Sequence, residues 1–358
     1  MEKNVTLKDI AKATNLSVST VSFALNGKGR ISAKTRELVF QRAKQMGYRP
    51  NIFASTLSTK DTTNIVVICP KHDLYFDSVI EGILAYYSEI EKYKVKLIFK
   101  YCNGYDAQEQ LKKITSCFHE AIDGILITPL SVPKIATALQ HLSASGVPIV
   151  MFTNDFPQSG RLCFVGQNGN IAGTLAGELM AQRLPQNAKI VIYHTKSPIG
   201  TVRDRVESFV QSIQKNAQGF YTLKKYSFAD LPYSSDDAQI DSLAREVLLK
   251  ELPDAAYSNT MRGTLALGRA LQQLKLSKKV ITFGYDINPE MKQMLNENIL
   301  DLTLFQDPFA QGFYSLMLLF RSIHSHDRLQ NSVYYTRTVV MTKSNSDEVN
   351  LINEMYLK

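Results

Sequence analysis

The 358-residue chain holds no apolar run of membrane-spanning length; the longest near its end, Leu316 to Phe320, is far too short. Residues 1 to 20 carry no apolar core of an export signal, so a cytoplasmic chain with no membrane association is expected. Its four cysteines, Cys69, Cys102, Cys117 and Cys163, show no metal-type pair spacing and lie mostly in apolar text, which points to buried free thiols in a reducing compartment. Of six histidines only His324-x-His326 are close, and they sit in polar loop text; no metal site is expected. Gly166, Gly169 and Gly173 do not form a dinucleotide fingerprint, and neither a Gly-x-Ser-x-Gly elbow nor a phosphate-binding loop is present. These absences leave no catalytic residues, no cofactor and no enzyme.

What is there divides sharply by charge. Residues 1 to 60 hold eleven Lys/Arg against three acids, a net of +8, while the remaining 298 residues balance 30 basic against 30 acidic groups. All of the chain's excess positive charge is in its head. A surface that neutralises nucleic-acid phosphates needs such concentration, because counterion release supplies most sequence-independent affinity. With 44% hydrophobic and 21% charged residues the chain is globular, and its length suits a small head followed by a body of two lobes.

The head reads as three short helices. Thr6 and Asp9 make a capping-box start, and Leu7, Ile10 and Ala11 give an apolar face for a helix over 7 to 14. Asn15-Leu16 turns the chain, Ser17 offers an N-cap hydroxyl, and a second helix over 18 to 25 carries Val21, Ala24 and Leu25 inward with Ser19, Ser22 and Phe23 outward. Ser32 caps a third helix through Met46, and Gly47 sits at its stop. With the Thr35-Arg36 pair, Gly47-Tyr48-Arg49-Pro50-Asn51 and then Ala54 and Leu57, this text resembles the LacI family of bacterial transcription regulators.

The resemblance implies a sequence-specific DNA-binding regulator, a repressor, acting as a homodimer on a palindromic operator of double-stranded DNA. It implies Val18, Ser19 and Phe23 at base edges, Lys34 and Arg36 on phosphates, and Thr6, Thr20, Ser22, Asn26, Tyr48, Asn51 and Ala54 completing the DNA contacts. Residues 1 to 48 form the DNA-binding domain and 49 to 62 a hinge, too short to be a stable helix off DNA, with Leu57 as a minor-groove wedge.

From Asn64 onward, apolar runs of strand length (65 to 69, 95 to 99, 124 to 128, 148 to 152) alternate with helical stretches, and the pattern repeats through 189 to 193, 255 to 258 and 280 to 284. This is an α/β body of two doubly wound, parallel-sheet, Rossmann-like lobes. It resembles the type I periplasmic sugar-binding proteins. Chain crossings between lobes are expected near 156 to 161, 287 to 289 and 306 to 308. They give a first lobe of 63 to 157 plus 288 to 306 and a second of 158 to 287 plus 307 to 358. Helix 307 to 324 and a closing strand 333 to 341 then belong to the second lobe.

Open parallel sheets bind ligands beyond the carboxyl ends of their strands. In order, the loops there hold Tyr75 and Phe76, Thr128 and Pro129, Thr153 to Asp155, His194 to Ser197 with Arg205 on the following helix, Asn259, Asp286 and Gln306: amides, carboxylates, one guanidinium and aromatics, a set suited to a sugar or polyol. The family's effector contacts map onto Asp155, Arg205, Asn259, Asp286 and Gln306 by their surrounding text. A body that senses a nucleobase or a protein partner is the alternative.

Overall fold

The computed structural model describes residues 5–25, 31–46, 62–71, 74–104, 106–195, 200–228, 237–324 and 329–348. Asn26, Tyr48, Asn51, Ala54, Leu57, the hinge up to residue 61, His326 and the tail from residue 349 therefore lie outside the described residues.

The head contains α1 (Leu7–Thr14), α2 (Val18–Leu25) and α3 (Ala33–Gln45). Each begins where a side chain satisfies the first free amides. The Thr6 N–H and hydroxyl both donate to Asp9 Oδ2, at 2.8 and 2.7 Å. Ser17 Oγ accepts from Thr20 N at 3.0 Å, and Ser32 Oγ from Thr35 N at 3.1 Å. Asn15 takes the left-handed conformation, φ 54°, that breaks α1 from α2. Ile10, Ala11, Val21, Ala24, Val39 and Ala43 close a small core between the three helices.

The body is two six-stranded sheets. The first has the order β11-β5-β4-β3-β1-β2, built from β1 (Thr63–Pro70), β2 (Val95–Cys102), β3 (Gly124–Ile127), β4 (Ile149–Phe152), β5 (Cys163–Gly166) and β11 (Val333–Tyr335). Its four inner strands, β1, β3, β4 and β5, are buried on both faces. Ile65, Val67, Leu126 and Val150 point at α4 (Leu74–Ile90) and α12 (Pro308–His324), while Val66, Ile68, Ile125 and Ile149 point at α5 (Ala107–Ser116) and α6 (Pro133–Ala144). This period-two split explains why the runs read as continuously apolar.

The second sheet has the order β12-β10-β9-β8-β6-β7, from β6 (Ala188–Thr195), β7 (Tyr221–Phe228), β8 (Ala255–Ser258), β9 (Ile281–Tyr285), β10 (Leu302–Phe305) and β12 (Val339–Met341). On one face lie α7 (Gly169–Ala181) and α8 (Gly200–Asn216), on the other α9 (Ala238–Glu251), α10 (Met261–Gln273) and α11 (Pro289–Asn296). All pairings are parallel except β10 with β12.

The expected partition of the lobes is corrected at four places. Strand β5 pairs with β4, so the first crossing follows residue 166 and not 156 to 161. No crossing occurs at 287 to 289: α11 is a short connection that returns β10 beside β9, keeping both in the second sheet. The crossing at 306 to 307 is where it was expected, but it leads the other way. Helix α12 buries Phe309, Phe313, Leu316, Leu319 and Phe320 against α4 and the first sheet. The single strand expected over 333 to 341 is two, one in each sheet, joined by a third crossing at 336 to 338.

Candidate functional site

The three crossings and the carboxyl ends of β4, β5, β8, β9 and β10 converge on Arg205. Helix α8 carries this residue, and α7 lets it come close through Gly169, Gly173 and Gly177, a ladder of small residues four apart. A Cβ on Gly173 would lie 2.3 Å from the Arg205 carbonyl oxygen, so only glycine permits this approach. Arg205 is 3% exposed, and its guanidinium donates from Nε to Gln167 Oε1 (3.1 Å), from Nη1 to the Asn259 carbonyl (3.1 Å) and from Nη2 to Gln306 Oε1 (2.6 Å). Its Cζ stands 4.2 Å from the centre of the Tyr285 ring. Gln306 turns its Nε2 to both oxygens of Asp286, at 2.9 and 3.1 Å. A buried cation and a buried carboxylate thus balance through one amide, as the desolvation cost of isolated charges demands.

The strand ends are bent to make this meeting. Thr153, Asp286 and Asp307, which follow β4, β9 and β10, have φ of 62°, 66° and 56°. The left-handed region costs non-glycine residues on the order of 1 to 3 kcal/mol each and concentrates where side chains must be aimed. Burial lifts the Tyr285 phenol to about 12, with the Arg205 charge opposing, so the hydroxyl stays protonated. Asn259 is fully buried, accepting from Thr195 N (3.3 Å) and donating to the Val202 carbonyl (3.1 Å).

From the first lobe, the buried Tyr75 donates its hydroxyl to Gln311 Oε1 at 2.9 Å, and Thr153 Oγ1 donates to the same oxygen at 2.9 Å. Burial first, then the Asp286 charge, holds the Tyr75 phenol far above its ordinary range. Phe76 is 4% exposed in the hydrophobic core, its ring edge-on to Tyr75 at 5.2 Å.

Arg205, Asn259, Asp286 and Gln306 are therefore brought together, with Tyr75 joined to them through Gln311. Asp155 is not. Its carboxylate is gripped by the Arg161 guanidinium, Nη2 to Oδ2 at 2.7 Å and Nε to Oδ1, and Arg161 Nη1 reaches the Ser332 carbonyl at 2.6 Å. This pair ties the β4–β5 loop to the approach of β11, and it is Thr153, two residues earlier, that stands at the strand end. Thr153 was among the strand-end residues expected to line the site, whereas Gln167, Gln311, Thr336 and Thr338 were not read as site residues from the sequence. Thr336 donates to the Gln306 carbonyl at 2.9 Å, and Gln167 Nε2 donates to Thr338 Oγ1 at 3.1 Å. The one available signal was Gln311, a lone amide on the apolar face of Pro308–His324, since a buried amide needs partners.

In the head, α2 leaves Val18 41% and Phe23 47% exposed, with Ser19 exposed and Thr20 and Ser22 half-buried. Thr6 and Lys34 are exposed; Arg36 is half-buried, its Nε out of solvent and without a hydrogen-bond partner among the described residues. The four cysteines are free and buried, and burial pushes the Cys69, Cys102 and Cys163 thiols up to about 12, so none is a poised nucleophile. Among the described residues no His/Cys/Asp/Glu group could hold a metal ion, and no helix is long and apolar enough to cross a membrane.

Comparison with known proteins matches residues 6–51 to the family described as bacterial regulatory proteins, lacI family, and residues 65–324 to the periplasmic binding protein domain. The HTH-type transcriptional regulator DegA of Bacillus subtilis (strain 168) is 32% identical over 156 residues, 42% of this chain and 44% of its own length. The sucrose operon repressor of Pediococcus pentosaceus is 24% identical over 316 residues, 85% of this chain and 87% of that one. The ribitol operon repressor of Klebsiella aerogenes is 30% identical over 183 residues, 50% and 65%. The chain thus spans less than half the length of DegA and most of the length of the sucrose operon repressor. Among solved structures, a solute binding protein from Burkholderia graminis C4D1M in complex with D-arabinose has a TM-score of 0.72 at 19% identity, covering 80% of this chain and 98% of that one. GanP, a glucose-galactose binding protein from Geobacillus stearothermophilus, has a TM-score of 0.69 at 20% identity, covering 80% and 99%. At these identities the likeness is one of fold.

Proposed function

The chain belongs to the lacI family of bacterial regulatory proteins and carries a periplasmic-binding-protein body; from this we propose that it is a DNA-binding transcription regulator, a repressor, controlled by a small neutral polyhydroxy effector. The observation that carries the effector class is the balanced Arg205–Gln306–Asp286 array at the strand ends. One cation and one carboxylate sum to no net charge, so an ionic ligand would leave a buried charge unmatched. Hydroxyls both donate and accept, and they suit a site of amides, hydroxyls, a carboxylate and a guanidinium. The names of relatives, sucrose and ribitol operon repressors, and of a structural neighbour holding D-arabinose agree with that class.

The head reads DNA with α2 in the major groove. Val18 and Phe23 meet base edges through apolar contact, for which a thymine methyl is the fitting partner, and the basic excess of residues 1 to 60 meets the phosphates. Two copies on a palindrome supply two heads, and Leu57 of each hinge wedges a central step. The chain has no catalytic role in this reading.

A second reading, in which the body senses a protein partner, is favoured by one feature: the polar groups around Arg205 already satisfy one another within the chain. A thermal-shift screen of monosaccharides, polyols and nucleobases on the full chain separates the two. A ligand at a hundred times its Kd stabilises by about 2.7 kcal/mol, so a neutral sugar or polyol should raise the Tm by several degrees. No shift with any member of the panel would favour the protein-sensing body.

A further inference from the structure

Helix α12 joins two places that the effector reading leaves unconnected. It has 17 residues, so it is about 25 Å long at 1.5 Å per residue. Gln311, in its first turn, is fully buried and has both ends of its amide engaged. Its oxygen accepts the Tyr75 and Thr153 hydroxyls of the first lobe, and its nitrogen donates at 2.9 Å to the carbonyl of Gln306, whose side chain sets Arg205 and Asp286 of the second. In its first two turns α12 crosses α4 at glycines, where a Cβ on Gly312 would fall 1.9 Å from the Val79 carbonyl oxygen and one on Gly82 2.0 Å from that of Phe309, and further along Phe313 and Phe320 pack on Tyr86 of α4. Two helices so closely keyed move as one.

At the far end, the His324 ring packs on Phe320 at 4.5 Å and its Nε2 lies 3.2 Å from Thr63 Oγ1. Thr63 is the first residue of β1 and directly follows the hinge of residues 49 to 62. Its neighbour Asn64 is held by Asp123 Oδ2 at its N–H (2.7 Å) and by the Ala121 carbonyl at its amide (2.9 Å).

We propose that Gln311 is a positioning residue which aligns the effector cleft, and that α12 transmits its position to Thr63 and so to the linker that carries the head. The proposal rests on the effector reading for its biological use, but its mechanical content does not. A change in how the lobes meet at Gln306 must move the Gln311 amide or leave it unpaired, and a helix keyed by backbone contact displaces its last turn with its first.

Hydrogen exchange on the full-length protein tests this without any ligand. Gln311→Met keeps the side-chain volume and removes the amide, while Gln311→Glu keeps the acceptor for Tyr75 and Thr153. Gln311→Met is expected to speed exchange at least tenfold both at 303–308 and at 62–66, with α10 (261–273) unchanged, and Gln311→Glu to restore part of the protection at 62–66. Faster exchange confined to 303–308 would make Gln311 a local packing residue, and a uniform rise through both lobes would make it a stability residue; either overturns the proposal. Should Gln311→Met not fold, His324→Gln reads the same path in reverse: faster exchange at 303–308 supports it, and no change there refutes it. A failed sugar screen with these exchange results intact would discard the effector class and keep the lever.

Discussion

Arg205 shows how one residue's chemistry constrains many others. Its three donors, spent on Gln167, Asn259 and Gln306, reach two of the crossings and one strand end, so losing the guanidinium leaves several buried acceptors unpaired. Arg205→Ala and Asp286→Ala should each weaken binding of the responding sugar or polyol by roughly 2 kcal/mol or more, with operator binding in its absence retained; calorimetric titration of the folded variants measures it, and unaltered affinity would remove the pair from the site. Phe23→Arg should shift one half-site position towards guanine, because an exposed apolar ring is replaced by a bidentate donor. Selection from a random DNA pool reads this directly, and an unchanged consensus would mean that Phe23 does not face a base. At the other end of the body, burial lowers the His324 pKa from its usual value, with Asp123 opposing. The unfolded chain then binds the extra proton first, so stability should fall as pH drops below about 6.5, the unperturbed histidine value, and level off below the folded pKa. His324→Gln should flatten that part of a Tm-against-pH curve relative to wild type; parallel curves would show that the ring is not the group responsible.

Among the elements, capped helices and most apolar strand runs were legible, and several short or glycine-diluted ones were not. The three head helices announce themselves through Asp9, Ser17 and Ser32, side chains that accept from an amide three residues away. Strands β5 and β10 are four residues each, α11 is eight, and α7 contains three glycines in thirteen, which dilutes any helical preference. Those glycines are informative once α8 is seen against them. Gly173→Val should cost on the order of 1 to 3 kcal/mol by driving α7 from α8, whereas Gly200→Ala, with nothing within 4 Å of its Cβ position, should be neutral or slightly stabilising. Urea unfolding of the two variants compares them, and equal stability would argue against the close approach. The candidate site divides along the same line: Asn259 and Asp286 stand at recognisable strand ends and Arg205 on the helix that follows one, but Gln167, Thr336 and Thr338 matter only because the chain crosses between lobes there. Asp155 stands apart from the array for a local reason: nothing in the order Thr153-Asn154-Asp155 says which of three polar residues ends the strand and which pairs with Arg161.

At the scale of the whole molecule, two segregations define the chain: positive charge into residues 1 to 60, and a charge-balanced polar array into the junction of two sheets. On the proposed function, the first should make DNA affinity steeply salt-dependent, and the second should make the junction responsive to a neutral ligand. Their connection is the central claim, because a ligand alters DNA binding only as far as it prefers one arrangement of the lobes, and near-complete switching requires a preference of about 10⁴-fold. The most direct test is fluorescence anisotropy of the full-length protein on an operator fragment selected from a random pool, titrated with and without a saturating amount of the sugar or polyol that raises its Tm. The operator Kd should change at least tenfold in the wild type and stay constant in Asp286→Ala; equal affinity with and without a ligand that demonstrably binds would contradict the coupling of body to head.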